Sequence, residues 1–144
     1  MPSNVYRSYL ENDVLTADPV KLIQLLYEGA MEAIESARRH LGAGDIRARA
    51  RAITKALAIL HALTASLDHA KGGELSVRLA GLYDYIERLL IDANAKQQER
   101  PLIEAHQLLN VLMEGWRSCT PALRAPAEES AAPETKYQAL SYAC

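Results

Sequence analysis

The chain has 144 residues, of which 49% are apolar and 24% are charged, and its formal net charge at pH 7 is -2. This length and composition suit one globular domain with an ordinary core. A near-neutral charge argues against nucleic acid as a partner. No apolar run approaches the roughly 20 residues that span a bilayer, so we also expect no membrane insertion.

The first segment is a short amphipathic arm, residues 1–15. Its apolar side chains are Val5, Tyr6, Tyr9, Leu10, Val14 and Leu15. A helix of this length is not stable on its own in water. We therefore expect the arm to pack against another surface, and Tyr6, Tyr9 and Leu10 are suited to covering a groove of the protein itself.

The first two of four predicted helices have clear start signals. Asp18 suits a helix cap and Pro19 suits the first helical position, because the missing N–H of proline is not needed there. The turn at residues 42–44, Gly-Ala-Gly, is predicted to end the first helix. Asp45 is the predicted cap of the second helix, which we expect to end at Gly72-Gly73.

The third and fourth helices complete the predicted domain. The third is expected to begin near Glu74 and the fourth at Pro101, after a polar link over residues 94–100. Apolar residues recur at spacings of three and four in every helix. Short connections make neighbouring helices antiparallel, so the sequence predicts an all-α, up-down-up-down four-helix bundle over residues 16–119.

The composition changes after the predicted bundle. Residues 120–144 are rich in Pro, Ala and Glu in their first part and regain Tyr and Leu near their end. Such a segment offers little to a hydrophobic core. We therefore predict a disordered tail over residues 120–144.

Several apolar residues fall outside the predicted core stripes. On the second helix, Ile59 and Leu63 widen the apolar arc to roughly half of the circumference, which is more than one buried face requires. Tyr85 on the third helix also lies outside its stripe, as do Val77, Ile91 and, on the fourth helix, Val111. Scattered apolar residues are ordinary on protein surfaces. A contiguous apolar patch, however, marks an interaction surface, so Ile59, Leu63 and Tyr85 are predicted to bind protein.

No pattern of catalytic or ligand-binding residues is apparent. The four histidines lack the helical metal-site spacing, and the sequence contains neither a Gly-rich phosphate loop nor a serine elbow. We therefore predict that the protein is not an enzyme and binds no metal or cofactor. Phosphotransfer through His69 is a minor alternative. Arg47, Arg49 and Arg51 are interpreted as a solvated helix surface.

Several short motifs together resemble one known family, the flagellar secretion chaperone FliS. The motifs, in the order and approximate spacing of that family, are Tyr6-x-x-Tyr9, Thr16-Ala17-Asp18-Pro19, Leu25-Leu26-Tyr27-Glu28-Gly29-Ala30, Gly72-Gly73-Glu74-Leu75 and Leu82-Tyr83-Asp84-Tyr85. The resemblance covers residues 5–118. It implies an antiparallel four-helix bundle, as the periodicity does independently.

The resemblance also implies a function. A FliS-like protein is expected to bind the C-terminal segment of flagellin in the cytoplasm, to prevent its premature polymerisation, and to deliver it to the export gate of the flagellar type III apparatus. In the family the N-terminal arm lies over a groove in the free state, moves when the client binds and takes part in docking to the export gate. The resemblance implies that Tyr6 and Tyr9 match the tyrosines of that arm. The alternative is a helical bundle that acts as an adaptor or assembles with itself, for example as a homodimer, through the same apolar surface.

Overall fold

A computed structural model describes residues 19–123, with side-chain environments over residues 19–119. The described chain forms four α-helices: α1 (Pro19–Ala43), α2 (Ile46–Ala65), α3 (His69–Lys96) and α4 (Arg100–Leu123). The predicted arm, the Asp18 cap and residues 124–144 of the predicted tail lie outside the described residues. None of the described helices is long and apolar enough to cross a membrane.

The helices form a bundle in which each packs against two neighbours. Helix α1 contacts α2 and α4, and helix α3 also contacts α2 and α4. The short connections make sequential helices antiparallel. The predicted all-α four-helix bundle is therefore confirmed. Its C-terminal boundary is shifted, because α4 continues to Leu123 and includes the first four residues assigned to the tail.

The core lies along the bundle axis and draws on all four helices. Its largest fully buried side chains are Ile34, Ile59, Leu60, Leu63, Ile86, Leu90, Leu102 and Leu109. Two buried tyrosines join the diagonal helices α1 and α3, because the hydroxyls of Tyr27 and Tyr83 lie 2.6 Å apart in a hydrogen bond. Burial raises the pKa of both phenols above the ordinary value of tyrosine.

The caps predicted around the first connection are present. Helix α1 ends at Ala43, and Gly44 follows with φ of 72°, a conformation that glycine adopts without strain. The Asp45 side chain accepts a hydrogen bond from the backbone N–H of Ala48 at 3.0 Å. This contact satisfies one of the free donors at the start of α2.

The predicted boundary between the second and third helices is wrong. Helix α2 ends at Ala65, and Asp68 caps α3 by accepting a hydrogen bond from the backbone N–H of Lys71 at 3.0 Å. Gly73 lies inside α3 and interrupts its helical geometry with φ of 51° and ψ of -124°. The glycine pair therefore bends α3 and does not end α2, because a capped turn precedes it. The regular part of α3 still begins at Glu74, as predicted.

Arg49 also differs from its predicted role on a solvated surface. It is only 4% exposed, and its Nε donates to Asn94 Oδ1 at 2.9 Å, while its terminal nitrogen donates to the Asn94 carbonyl at 3.3 Å. Arg49 lies one turn before Ile53 on the core side of α2. Its side chain therefore fastens the start of α2 to the end of α3.

Candidate protein-binding surface

Two residues predicted to bind protein lie in the core. Ile59 is 0% exposed and Leu63 is 1% exposed, and both belong to the main apolar cluster. Helix α2 packs against α1 on one side and α3 on the other. Two neighbours bury a wider arc than one, so the broad apolar face of α2 is a packing surface. The predicted exposure of Ile59 and Leu63 is therefore wrong.

The apolar residues that remain exposed lie mainly on α3 and α4. Val77 is 62% exposed, Tyr85 44%, Ile91 56% and Val111 67%. At 100° per residue, the three residues of α3 fall within an arc of about 120° on its solvent side. The sequence-based placement of these four outside the core stripes is confirmed.

One polar contact joins α3 to α4. The hydroxyl of Tyr85 donates a short hydrogen bond to the carboxylate of Glu104. This hydrogen bond is the main cause that raises the pKa of Tyr85 above its ordinary value. Since the two helices are antiparallel, Val77, two turns before Tyr85, lies at about the height of Val111, two turns after Glu104.

The space between these positions is lined by smaller or half-buried residues. Leu108 follows Glu104 by one helical turn, and Gly81 lies one turn from both Val77 and Tyr85. A Cβ placed on Gly81 would meet no atom within 4 Å, so the surface beside it is open. We call the surface formed by Val77, Gly81, Tyr85, Leu108 and Val111 the α3–α4 face.

Gly81, a glycine inside an exposed helix, is a weak sequence signal for a surface that another chain can approach closely. The sequence-based prediction missed it. Glycine destabilises a helix interior by about 1 kcal/mol relative to alanine. No close contact in the described structure requires Gly81 to lack a side chain. Its position between Val77 and Tyr85 instead allows another chain to approach the backbone of α3 closely.

Ionisable residues elsewhere in the described structure form pairs between helices. His61 Nε2 lies 3.3 Å from Glu87 Oε1, joining α2 to α3, and His106 Nε2 lies 3.4 Å from Glu35 Oε1, joining α4 to α1. Desolvation is the largest cause that raises the pKa of Glu87. Over residues 19–123 no group of three or more potential ligands is arranged to hold a metal ion. These two pairs therefore connect neighbouring helices of the bundle.

The remaining predicted site residues belong to the arm. Tyr6, Tyr9 and Leu10 lie outside the described residues, so among the six predicted positions Tyr85 alone is described as exposed.

Comparison with known proteins identifies the family. Residues 2–123 match the family described as flagellar protein FliS. The flagellar secretion chaperone FliS of Salmonella typhimurium is 38% identical over 113 residues, which cover 78% of this chain and 84% of the relative. The FliS chaperones of Campylobacter jejuni and Bacillus subtilis are 34% and 30% identical, over 78% and 79% of this chain and 88% and 84% of the relatives.

The family match and the similar relatives both agree with the sequence motifs and with the four-helix bundle. The family match extends over most of the chain and includes all four helices. The relatives are named as chaperones, and the prediction of a protein without enzymatic activity is confirmed by this assignment. The chain belongs to the FliS family of flagellar secretion chaperones.

Proposed function

We propose that this chaperone binds the C-terminal segment of flagellin in the cytoplasm through the α3–α4 face and delivers it to the flagellar export gate. The observation that carries the proposal is the exposure of Val77 (62%) and Val111 (67%) on adjacent helices, at about the same height by the rise of 1.5 Å per residue. Exposed aliphatic side chains on two adjacent helices are typical of surfaces that receive an amphipathic helix. The family assignment supplies the class of client.

The binding follows from the physics of disordered segments. A segment that is unfolded alone loses conformational entropy when it becomes helical on a partner. Burial of its apolar stripe must offset that loss, and fully burying one valine side chain contributes about 1.5–3 kcal/mol. Coverage of the same stripe leaves it unavailable for contacts between flagellin molecules, which accounts for the prevention of premature polymerisation.

Tyr85 is the polar edge of the proposed contact. Its hydroxyl is held by Glu104, whereas the side chain remains 44% exposed. A ring fixed in this way offers apolar area at a low cost in side-chain entropy. The arm is proposed to supply further contacts to the client through Tyr6, Tyr9 and Leu10. Their apolar character and the resemblance to the family support this proposal.

Replacing both exposed valines with serine should weaken the binding of a flagellin C-terminal peptide. The V77S/V111S variant is expected to raise the Kd by about 30-fold, because each change removes about 1 kcal/mol of apolar burial. Isothermal titration calorimetry measures this Kd directly. Serine and valine have similar helix propensities, so the thermal midpoint should change little.

Ile46→Ser is the matched control for this experiment. Ile46 is 58% exposed but lies at the start of α2, away from the α3–α4 face. The control is expected to change the Kd by less than about twofold. Equal weakening by Ile46→Ser, or unchanged binding by V77S/V111S, would show that the client binds elsewhere. No binding to the unaltered protein would overturn the proposed function itself.

Removal of residues 1–14 tests the proposed role of the arm. If the arm covers apolar surface in the free protein, the truncated protein should bind more of the dye ANS while its helical circular dichroism stays unchanged. An increase of about twofold or more is expected, since the dye responds to exposed apolar area. An unchanged dye signal would contradict a covering arm.

Self-assembly is the competing use of the same surface. Two copies that pack through their α3–α4 faces would bury the same valines as the client. Light scattering then gives the mass of a dimer for the unaltered protein and of a monomer for V77S/V111S. If both the unaltered protein and V77S/V111S are monomers, the result favours binding of a client, and not of a second copy, by the α3–α4 face.

A further inference from the structure

The lysines and arginines of the described surface differ in their partners. Five of them form ion pairs with carboxylates, at N···O distances that run from 2.6 Å for Arg78 with Glu74 to 3.5 Å for Arg117 with Glu28. The other paired cations are Arg38, Arg88 and Lys96. In contrast, four cations of the α1–α2 hairpin form no ion pair with any described residue: Arg39, Arg47, Arg51 and Lys55. We call these four residues the basic stripe.

Three residues of the basic stripe follow one face of α2, and the fourth lies on α1. Arg47, Arg51 and Lys55 are spaced by four residues, so they follow one another along one face of α2. Arg39 lies one turn before the end of α1, and the two-residue connection brings it to about the height of Arg51. Arg39, Arg47 and Arg51 are exposed, and Lys55 is half-buried.

The acidic groups nearby do not balance this charge. Asp45 caps α2 through its bond to the backbone of Ala48. Glu35, one turn before Arg39 on α1, is paired with Arg38 and His106, and Glu32 is exposed but lies about two turns from Arg39. Arg100 at the start of α4 is a further exposed cation at this end of the bundle. The described end of the hairpin therefore carries an excess of positive charge, although the whole chain has a net charge of -2.

The stability of the fold does not account for the basic stripe. Arg47 lies in the first turn of α2, where a cation is unfavourable because the backbone dipoles already make that end positive. Like charges four residues apart on a helix also repel each other. The first turn of α2 itself contains no acidic residue, so the carboxylate that offsets the dipole there is that of Asp45 at the N-cap. Arg49 differs, because its bonds to Asn94 give it an internal role.

We propose that the basic stripe binds an acidic segment of a partner protein, one rich in Asp and Glu. Arginine pairs well with carboxylates because its planar donors match their two oxygens. Exposed Ile46, next to Arg47, adds one aliphatic contact of the kind found in protein interfaces. The stripe contains no aromatic side chain on which a nucleic-acid base would stack.

The basic stripe lies on α1 and α2, whereas the α3–α4 face lies on the other helix pair of the ring. The acidic partner and an apolar client therefore occupy different sides of the bundle. One molecule accommodates both at once. The inference goes beyond the proposed function and does not depend on which client fills the α3–α4 face.

Two fluorescein-labelled peptides test this proposal with the full-length protein. One alternates Glu with Ala, and the other replaces every Glu with Gln, so neither carries a large apolar side chain. Fluorescence anisotropy is expected to show at least about tenfold tighter binding of the Glu peptide at low salt, and a loss of that difference as screening increases. The R47Q/R51Q variant should weaken binding of the Glu peptide about tenfold.

The R78Q/R88Q variant is the matched control, because it removes the same charge from two ion-paired arginines of α3. Its affinity for the Glu peptide should stay within about twofold of the unaltered protein. Equal binding of both peptides, or equal weakening by the two variants, would overturn the proposal. Tighter binding of a single-stranded DNA oligonucleotide or of phosphatidylserine vesicles, lost in R47Q/R51Q, would overturn the assignment of a protein partner.

Discussion

Ile59→Ala is expected to lower the free energy of unfolding by about 2–5 kcal/mol, although a helical wheel places Ile59 beside the core stripe. The side chain is 0% exposed in the main apolar cluster. Truncation removes its burial from water and leaves a cavity that the packed neighbours fill only in part. Urea unfolding followed by circular dichroism measures the loss, and Leu63→Ala, at 1% exposure, should behave alike.

Val77→Ala is the control for this prediction. Val77 is 62% exposed, so its truncation should change the free energy of unfolding by no more than about 0.5 kcal/mol. The contrast separates a packing residue from a surface residue of similar chemistry. If Ile59→Ala kept the stability of the unaltered protein and lost client binding instead, Ile59 would be a contact residue and its placement in the core would be wrong.

The Tyr27–Tyr83 hydrogen bond should give the second large effect. Tyr83→Phe leaves the buried hydroxyl of Tyr27 without its partner, which lies 2.6 Å away. An unpaired buried hydroxyl costs about 1–3 kcal/mol. Tyr27→Phe should cost a similar amount for the same reason. The double variant removes both polar groups and should lose less than the sum of the two single changes.

A double-mutant cycle in urea measures this coupling. An additive result, in which the double variant loses the sum of both changes, would mean that the hydroxyls act independently. The cycle also serves as a check on the diagonal contact between α1 and α3, since residues in contact show an interaction energy in such a cycle and distant, independent residues do not.

The same pair predicts how stability depends on alkaline pH. Burial raises the pKa of both tyrosines in the folded state, so the folded protein retains phenol protons that the unfolded chain releases. The stabilisation is complete below the ordinary tyrosine pKa of about 10 and is lost as the pH rises above it. The Y27F/Y83F variant should show a smaller loss between pH 9 and about 11, measured as urea midpoints.

Local signals were sufficient for part of the fold. Helix starts depend on a few adjacent residues, and the Asp45 cap is where the sequence placed it. Exposure on α3 and α4 was also predictable, since Val77 and Val111 lie far from their core stripes. The boundary between α2 and α3 was not predictable from local signals. Asp68 and Gly73 each carry a strong turn signal, and the choice between them depends on packing around α3.

The sequence by itself determined an all-α bundle, the caps around the first connection, the exposed residues of α3 and α4, and, through its motifs, the family. These features depend on periodicity and on neighbours within one or two helical turns. The tertiary structure decided the rest. It buried Ile59 and Leu63 between two neighbouring helices, brought Arg49 to Asn94, and brought Tyr85 on α3 to Glu104 on α4. The sequence of a single helix does not determine how many other helices pack against it. The burial of its side chains therefore depends on the arrangement of all four helices.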